Sequence, residues 1–208
     1  HCSMWGIPTP AASTVGRILN DLKKRDLLPT YSKVSLYGKT GNVHTRKPRK
    51  KRKKQRRNGY QPEHAGDLLE LDTIVYFVNG IRRYLITAVD LYGRFAFAYA
   101  YKNPSSARAT DFLKKLRDVA PYTIIRLQTD NGSEFDKHFR QYVEGNELIH
   151  FHTYPRSPKM NAHIERFNRT IQEEFANWRK EMLAYDLLAF IKGLMDWLLW
   201  YNTERPHE

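Results

Sequence analysis

Cysteine is almost absent from this chain: Cys2 is the only one in 208 residues. That excludes an intramolecular disulfide framework and any zinc site built on several cysteines. No apolar run approaches the roughly 18 to 20 residues that span a bilayer, and no cleavable leader is visible. There is no internal repeat. Core-forming residues are not scarce, however. Hydrophobic residues make up 41% and aromatics 13%, which excludes disorder throughout. The length suits one full domain and a small second one. A first residue His1 rather than Met, and an end inside Arg205-Pro206-His207-Glu208, read as a piece of a longer protein.

Acidic residues are in deficit, and the formal charge is +13, but the excess is local. From Arg46 to Arg57 the chain reads RKPRKKRKKQRR, ten basic residues in twelve. Without them the balance is 25 basic against 22 acidic residues. A block of like charge cannot pack against itself, so it reads as a solvated arm. Pro48 and Asn58-Gly59 agree with that. Such an arm suits a polyanion, because each phosphate it neutralises releases condensed counterions. A solubilising linker or a nuclear-targeting signal would carry the same composition.

The arm divides the chain into segments 1–29, 30–65 and 66–208. In the first, Thr9-Pro10 reads as a helix N-cap followed by Pro at the first helical position. Val15, Ile18, Leu19 and Leu22 follow at helical spacing, and Leu28-Pro29 marks the exit. One amphipathic helix is too little to fold alone. It reads as the last helix of a partial helix-turn-helix DNA-binding segment, or as a packing helix of a small bundle. Residues 30–65 are the basic linker or arm.

In the third segment the pattern changes. Leu68 to Val78 and Ile81 to Asp90 are β-rich runs around Asn79-Gly80, a strong hairpin signal. Phe95 to Tyr101 predicts a third strand. A helix over Ser105 to Val119 follows, with Ala109, Phe112, Leu113 and Leu116 on one face, and Pro121 after its end. Thr123 to Leu127 predicts a short buried strand, Glu134 to Val143 a helix and Leu148 to His152 a fifth strand. Two long helices, Asn161 to Glu181 and Asp186 to Tyr201, close the chain. Three antiparallel strands followed by alternating helices and strands predict a mixed α/β sheet with helices on its faces.

Three acids stand apart by context. Asp72 lies within the first strand amid Leu71, Ile74 and Val75, where a charge is costly unless paired or bound to a cation. Asp130 follows a buried strand at its carboxyl end, a favoured ligand position in α/β folds, and Asn131-Gly132 turns the chain sharply there. On the penultimate helix, Ile164, Phe167, Ile171, Phe175 and Trp178 form an apolar stripe. Beside it run Asn161, Glu165, Asn168, Arg169 and Gln172, so Glu165 borders the buried face. Carboxylate oxygens are hard ligands for Mg²⁺ or Mn²⁺. Two such ions about 4 Å apart can clamp both oxygens of an in-line displacement at phosphorus. The alternative is ordinary pairing of these acids with Arg126, Arg166 or a helix N-terminus. His150, His152 and His163 have a spacing that fits no familiar zinc set, and an alternating pair on a strand is more often structural.

Five stretches, in order, resemble the DDE transposase and retroviral-type integrase catalytic core, especially that of bacterial insertion-sequence transposases. They are Gly66-Asp67-Leu68-Leu69-Glu70-Leu71-Asp72, Ala88-Val89-Asp90-Leu91-Tyr92-Gly93-Arg94, Thr129-Asp130-Asn131-Gly132-Ser133-Glu134-Phe135, Ser157 through Thr170, and Tyr201-Asn202-Thr203-Glu204-Arg205-Pro206-His207. Together they span residues 66–207. The resemblance implies a ribonuclease-H-like fold with Asp72, Asp130 and Glu165 as the catalytic, metal-binding triad for two Mg²⁺ or Mn²⁺ ions. It implies cleavage of a phosphodiester at an element's end and transfer of the freed 3′-hydroxyl into target DNA, without a covalent protein–DNA intermediate. A catalytically silent DNA-binding relative and a nuclease that only hydrolyses are the alternatives.

Lys159, Asn161 and Arg169, near Glu165, are the expected DNA contacts, with Arg49, Lys50, Lys51, Arg52, Lys53 and Lys54 in the arm; each could equally be a solvated surface residue. The resemblance further implies a homo-oligomer bridging two DNA ends, an intracellular setting, in the bacterial cytoplasm or nucleoid, and no membrane partner. Asp90 is expected to hydrogen-bond within a structural turn, Glu70 to pair with a basic residue, Asp67 to be a loop acid and Glu134 to begin a helix. Ala162 departs from the family pattern, where many relatives have Gly.

Overall fold

The computed structural model describes residues 11–28, 53–57, 59–154 and 158–206. Arg49 to Arg52, Thr9-Pro10 and the side chain of Lys159 lie outside the described residues. The chain divides into two compact units, 1–52 and 53–208.

Within the first unit, α1 runs over Ala12–Lys24, N-capped by Ala11 with no side-chain cap bond. None of its residues is buried, and Val15, Ile18 and Leu19 are each two-fifths exposed or more.

The second unit is a five-stranded sheet in the order β3-β2-β1-β4-β5. Strands β1 (Leu68–Val78), β2 (Ile81–Asp90) and β3 (Ala96–Tyr101) form an antiparallel meander. Asn79 and Gly80, both at positive φ (49° and 79°), make the turn, and Val78 faces Ile81 across it. That left-handed pair twists with the strands it joins. Strands β4 (Arg126–Thr129) and β5 (Ile149–His152) add in parallel on the other side of β1. Four consecutive buried residues, Leu68 to Leu71, mark a strand covered on both faces.

Helix α2 (Ser106–Val119) begins where the Ser105 hydroxyl accepts from the Arg108 N–H, and it buries Ala109, Phe112, Leu113 and Leu116. Helix α3 spans His138–Gly145, α4 Ala162–Ile171, α5 Lys180–Tyr185 and α6 Leu187–Thr203. Asp186 caps α6 through the Ala189 N–H. At Gly66, φ is +84° and an added Cβ would lie 2.3 Å from the Thr123 carbonyl oxygen, so only glycine fits.

Several boundaries differ from the periodicity. β4 starts at Arg126 rather than Thr123. Glu134 lies in a 3₁₀ turn, Ser133–Phe135, and the helix begins only at His138. The expected helix over 161–181 is interrupted by a π-helical segment, Gln172–Ala176, and a 3₁₀ turn, Asn177–Arg179. Ile164, Phe167, Ile171 and Phe175 are buried as the stripe requires, but Trp178 is 82% exposed. A π turn shifts the register of everything after it, which takes Trp178 off the stripe.

Residues 53–65, expected in the arm, belong to the compact second unit. The Lys54 carbonyl accepts from the His152 N–H at 2.8 Å. Tyr60 Oη and the Glu63 N–H donate to Asp67, and Arg126 lies over the Tyr60 ring. Asp67 is a loop acid before β1, as expected, but a buried one. It is 1% exposed and also bound by Arg126. Among the described residues no helix is long and apolar enough to cross a membrane.

Candidate active site

The parallel register pairs Glu70 with Gln128. Carried two residues on, it sets Asp72 beside Asp130, the first residue after β4. Asp72 is half-buried. Its Oδ1 accepts from the Thr73 N–H (2.8 Å), and its Oδ2 from Asn168 Nδ2 on α4 (2.8 Å). Asn168 is oriented in turn by Thr87 Oγ1, which donates to its Oδ1 at 2.7 Å. Asp130 Oδ1 accepts from the Gly132 N–H at 2.7 Å, so the sharp turn after β4 aims this carboxylate.

Glu165 stands in the first turn of α4, exposed. That turn is tied to the sheet by Glu70, whose Oε2 accepts from the Ile164 N–H at 3.0 Å. Glu70 is 1% exposed and sits 3.9 Å from Arg56 Nη1. Burial pushes the Glu70 carboxyl up to about 7, against the Ile164 N–H and Arg56; the Glu165 charge adds to the rise. Burial likewise raises Asp72 to about 6, and the charges of Asp130 and Glu165 both push it the same way. Asp72 therefore feels both of the other acids.

The three carboxylates come from the central strand β1, the end of β4 and the first turn of α4, and Asn168 ties Asp72 to that helix. Among the described residues, no three His, Cys, Asp or Glu side chains form a closed set around one metal position. The donors still suit a divalent cation in chemistry. They are hard oxygens, and mutual repulsion already raises the proton affinity of Asp72, a cost that bound positive charge would relieve.

The other expected site residues are dispersed. Asn161 precedes α4 and its Oδ1 accepts from Gln128 Nε2 at 2.9 Å, so it is engaged within the fold. Arg169 is exposed one helical turn beyond Glu165. Lys53 and Lys54 are exposed where the chain passes β5. Lys159 lies in the 3₁₀ turn Pro158–Asn161. His150 and His152 stack with ring centroids 4.1 Å apart, whereas His163 Nδ1 lies 3.0 Å from Arg94 Nη1. Burial drives His150 down to about 3, so it stays neutral; its Nε2 lies 2.8 Å from Thr129 Oγ1. Asp90 accepts from the N–H groups of Gly66 and Gly93 and holds the β2–β3 turn.

Sequence reasoning placed Asn168 on the polar stripe with Glu165 but gave it no role, and it missed Arg56. Asn168 follows Glu165 by three residues, a spacing that puts both on neighbouring parts of one helix surface and could have flagged it. Arg56 carries no such signal, being one of ten similar residues in the arm.

Two family models, each described as Integrase core domain, match this chain, one over residues 62–158 and the other over residues 146–208. ORF3 of Spiroplasma virus SpV1-C74, named as an integrase, is 29% identical over 177 residues, 74% of this chain; the chain spans 48% of that relative's length. In structure it is similar to a simian T-cell lymphotropic virus intasome in complex with the PP2A subunit B56 gamma (TM-score 0.59, 17% identity, 76% of this chain and 54% of that one). The HTLV-2 integrase catalytic core in complex with magnesium, in a dimeric form, gives a TM-score of 0.55 at 16% identity, over 70% of this chain and 92% of that one. The BIV integrase catalytic core gives 0.54 at 18%, over 69% and 88%. These likenesses place the mixed, helix-flanked sheet in the ribonuclease-H-like fold. Residues 62–208 thus belong to the integrase core domain family, the catalytic-core family of integrases and transposases.

Proposed function

We propose that this chain is the core of a metal-dependent DNA strand transferase, with Asp72, Asp130 and Glu165 as its catalytic triad. The observation that carries the reading is geometric: Asn168, on the helix that bears Glu165, holds Asp72 at 2.8 Å, and the parallel register pairs Glu70 with Gln128, each two residues before Asp72 and Asp130. Asp72, Asp130 and Glu165 would hold two Mg²⁺ or Mn²⁺ ions. When bound, such ions stabilise charge at a phosphodiester and make water or a hydroxyl a better nucleophile.

The chain's own residues position and orient. Asn168 holds one oxygen of Asp72 and the Thr73 N–H holds the other. The Gly132 N–H fixes Asp130, and Glu70 anchors the first turn of α4, on which Glu165 rides. The proposed reaction proceeds in two displacements. Water attacks the phosphodiester at the element's end; a P–O bond forms as the P–O3′ bond breaks and a 3′-hydroxyl is freed. That hydroxyl attacks a target phosphodiester, again exchanging one P–O bond for another, so no external energy source is needed. Catalysis of this kind rests on positioning and charge stabilisation.

DNA is the proposed partner, contacted by Lys159, Asn161 and Arg169 near the site and by the arm from Arg49 to Lys54. A homo-oligomer bridging two DNA ends, inside a bacterial cell, completes the proposal. The relatives' dimeric catalytic core and intasome support the oligomer by analogy.

The experiment is strand transfer on matched element ends with Mg²⁺, with binding to the same DNA measured in parallel. Alanine at Asp72, Asp130 or Glu165 is expected to lower transfer by about 10³-fold or more, with DNA affinity largely kept. Full metal-dependent activity in Glu165→Ala would dismiss the triad. A chain that binds DNA but holds no divalent ion and transfers no strand would be a silent binder.

A further inference from the structure

A second charged feature lies on the other side of α4. His163, Arg166 and Thr170 recur at i, i+3 and i+7, a spacing that makes one helix face, turned away from Asn168. With Arg94, Tyr201 and Arg205 they line a cavity of about 160 Å³. Arg205 is paired with Glu174 at 2.8 Å. Among the described residues, neither Arg94 nor Arg166 has a carboxylate within ion-pair distance.

Arg94 reaches this cavity from an unusual backbone. It follows Gly93 in the β2–β3 turn at φ +62°, a left-handed conformation uncommon for a residue with a Cβ. The turn is held there by Asp90, which accepts from Gly93 and Gly66. A guanidinium only donates, so its 3.0 Å contact makes His163 Nδ1 the acceptor and leaves the proton on Nε2. Burial first, and then Arg94, Arg56 and Arg166, hold the His163 pKa below its usual value. The cavity thus presents guanidinium forks and an imidazole N–H, all donors.

A larger cavity of about 540 Å³ adjoins it and shares Arg94 and His163. Arg56, Tyr60 and Tyr92 also line it, as does Glu70, which pairs with Arg56 at 3.9 Å. Arg94 and His163 thus line both cavities, Arg166 the smaller one and Arg56 the larger. Planar guanidinium groups match phosphate oxygens in pairs.

We propose that Arg94, His163 and Arg166 form a binding site for the phosphodiester backbone of DNA, on the flank of α4 opposite the face that meets Asp72. That the anion is DNA rests on the function proposed above; that the site takes phosphate does not. Its contacts are to the backbone, so it is indifferent to base sequence.

The test is the salt dependence of binding of the full chain to a duplex of arbitrary sequence, for the wild type, Arg94→Gln, Arg166→Gln and the double variant. Each guanidinium withdrawn from a phosphate is expected to flatten the log–log slope by about 0.9. Arg166 is exposed on a helix, so Arg166→Gln keeps the question decidable if Arg94→Gln fails to fold. In parallel, the His163 ring resonances of the wild type are followed against inorganic phosphate and against the duplex; both are expected to move them.

An unchanged slope in Arg166→Gln and the double variant overturns the site, as does a wild type that does not bind the duplex. Resonances that answer to phosphate alone overturn its assignment to DNA and leave a small-anion pocket. Strand transfer by the triad variants is scored separately. Its failure removes the proposed enzyme without altering the slope result.

Discussion

Asn168 shows how much a single amide can decide. It donates to Asp72 and accepts from Thr87, so truncation frees one oxygen of the carboxylate to rotate. Asn168→Ala is expected to raise the Mg²⁺ concentration needed for half-maximal strand transfer by about 10- to 100-fold, as loss of an outer hydrogen bond does in other metal sites. An unchanged metal requirement would make Asn168 a packing residue only. Glu70 supplies a test by pH. Its folded pKa, about 7, lies above the ordinary 4.5, so the folded state keeps a proton that the unfolded chain has lost between those values. The stabilisation is complete below about 4.5 and disappears as pH rises through about 7. Glu70→Gln keeps an acceptor for the Ile164 N–H and cannot ionise. Urea midpoints of the wild type are expected to fall relative to Glu70→Gln between pH 5 and pH 8; parallel profiles would contradict this. At this scale the positions of Asp72 within β1 and of Asp130 just after β4 were legible, because one acid stands in an apolar strand and the other ends one. Glu70 pairs with a basic residue and Asp67 precedes the strand, both as expected; the identity of their partners Arg56 and Arg126 was not legible, because these come from distant segments that no local spacing connects.

Elements whose ends carry turn chemistry matched expectation. The Asn79-Gly80 hairpin and the Ser105 cap fall where the residues place them. Elements limited by their neighbours did not. Ile124 is buried yet precedes β4, because hydrophobicity alone cannot tell strand from the approach to one. The π segment at Gln172–Ala176 has no composition signal, and it sends Trp178 outward. Two glycines separate backbone conformation from space. At Gly80, φ is +79° and nothing lies within 4 Å of an added Cβ; at Gly66 the Cβ would strike the Thr123 carbonyl. Gly80→Ala is expected to cost about 1 kcal/mol, the ordinary penalty for a left-handed residue. Gly66→Ala adds overpacking and should cost about 3 kcal/mol or more. Chemical denaturation of the two variants checks the order, and equal costs would refute the clash.

For the molecule as a whole, the linker boundary matters most. The arm reads as a uniform charged run, yet its last residues are part of the folded unit from Lys53 onward. Charge patterning could not reveal this, because pairing with Asp67, Glu70 and the β5 edge depends on the tertiary fold. A chain of residues 53–208 is expected to unfold as one cooperative unit. Starting instead at Gly66 removes the Tyr60 and Glu63 bonds to Asp67 and the Lys54 bond to His152. At about 1 kcal/mol per hydrogen bond, the shorter chain should be about 3 kcal/mol less stable. Equal denaturation midpoints would show that residues 53–65 contribute nothing.

The Lys54 carbonyl has one more effect. β5 is one of the two edge strands, and its His152 N–H donates to that carbonyl. An unpaired donor on a sheet margin is an invitation to a foreign strand, and lysine is among the residues that discourage such pairing. By running a lysine-bearing stretch along this rim, the polypeptide shields the side of its own sheet that would otherwise template self-association.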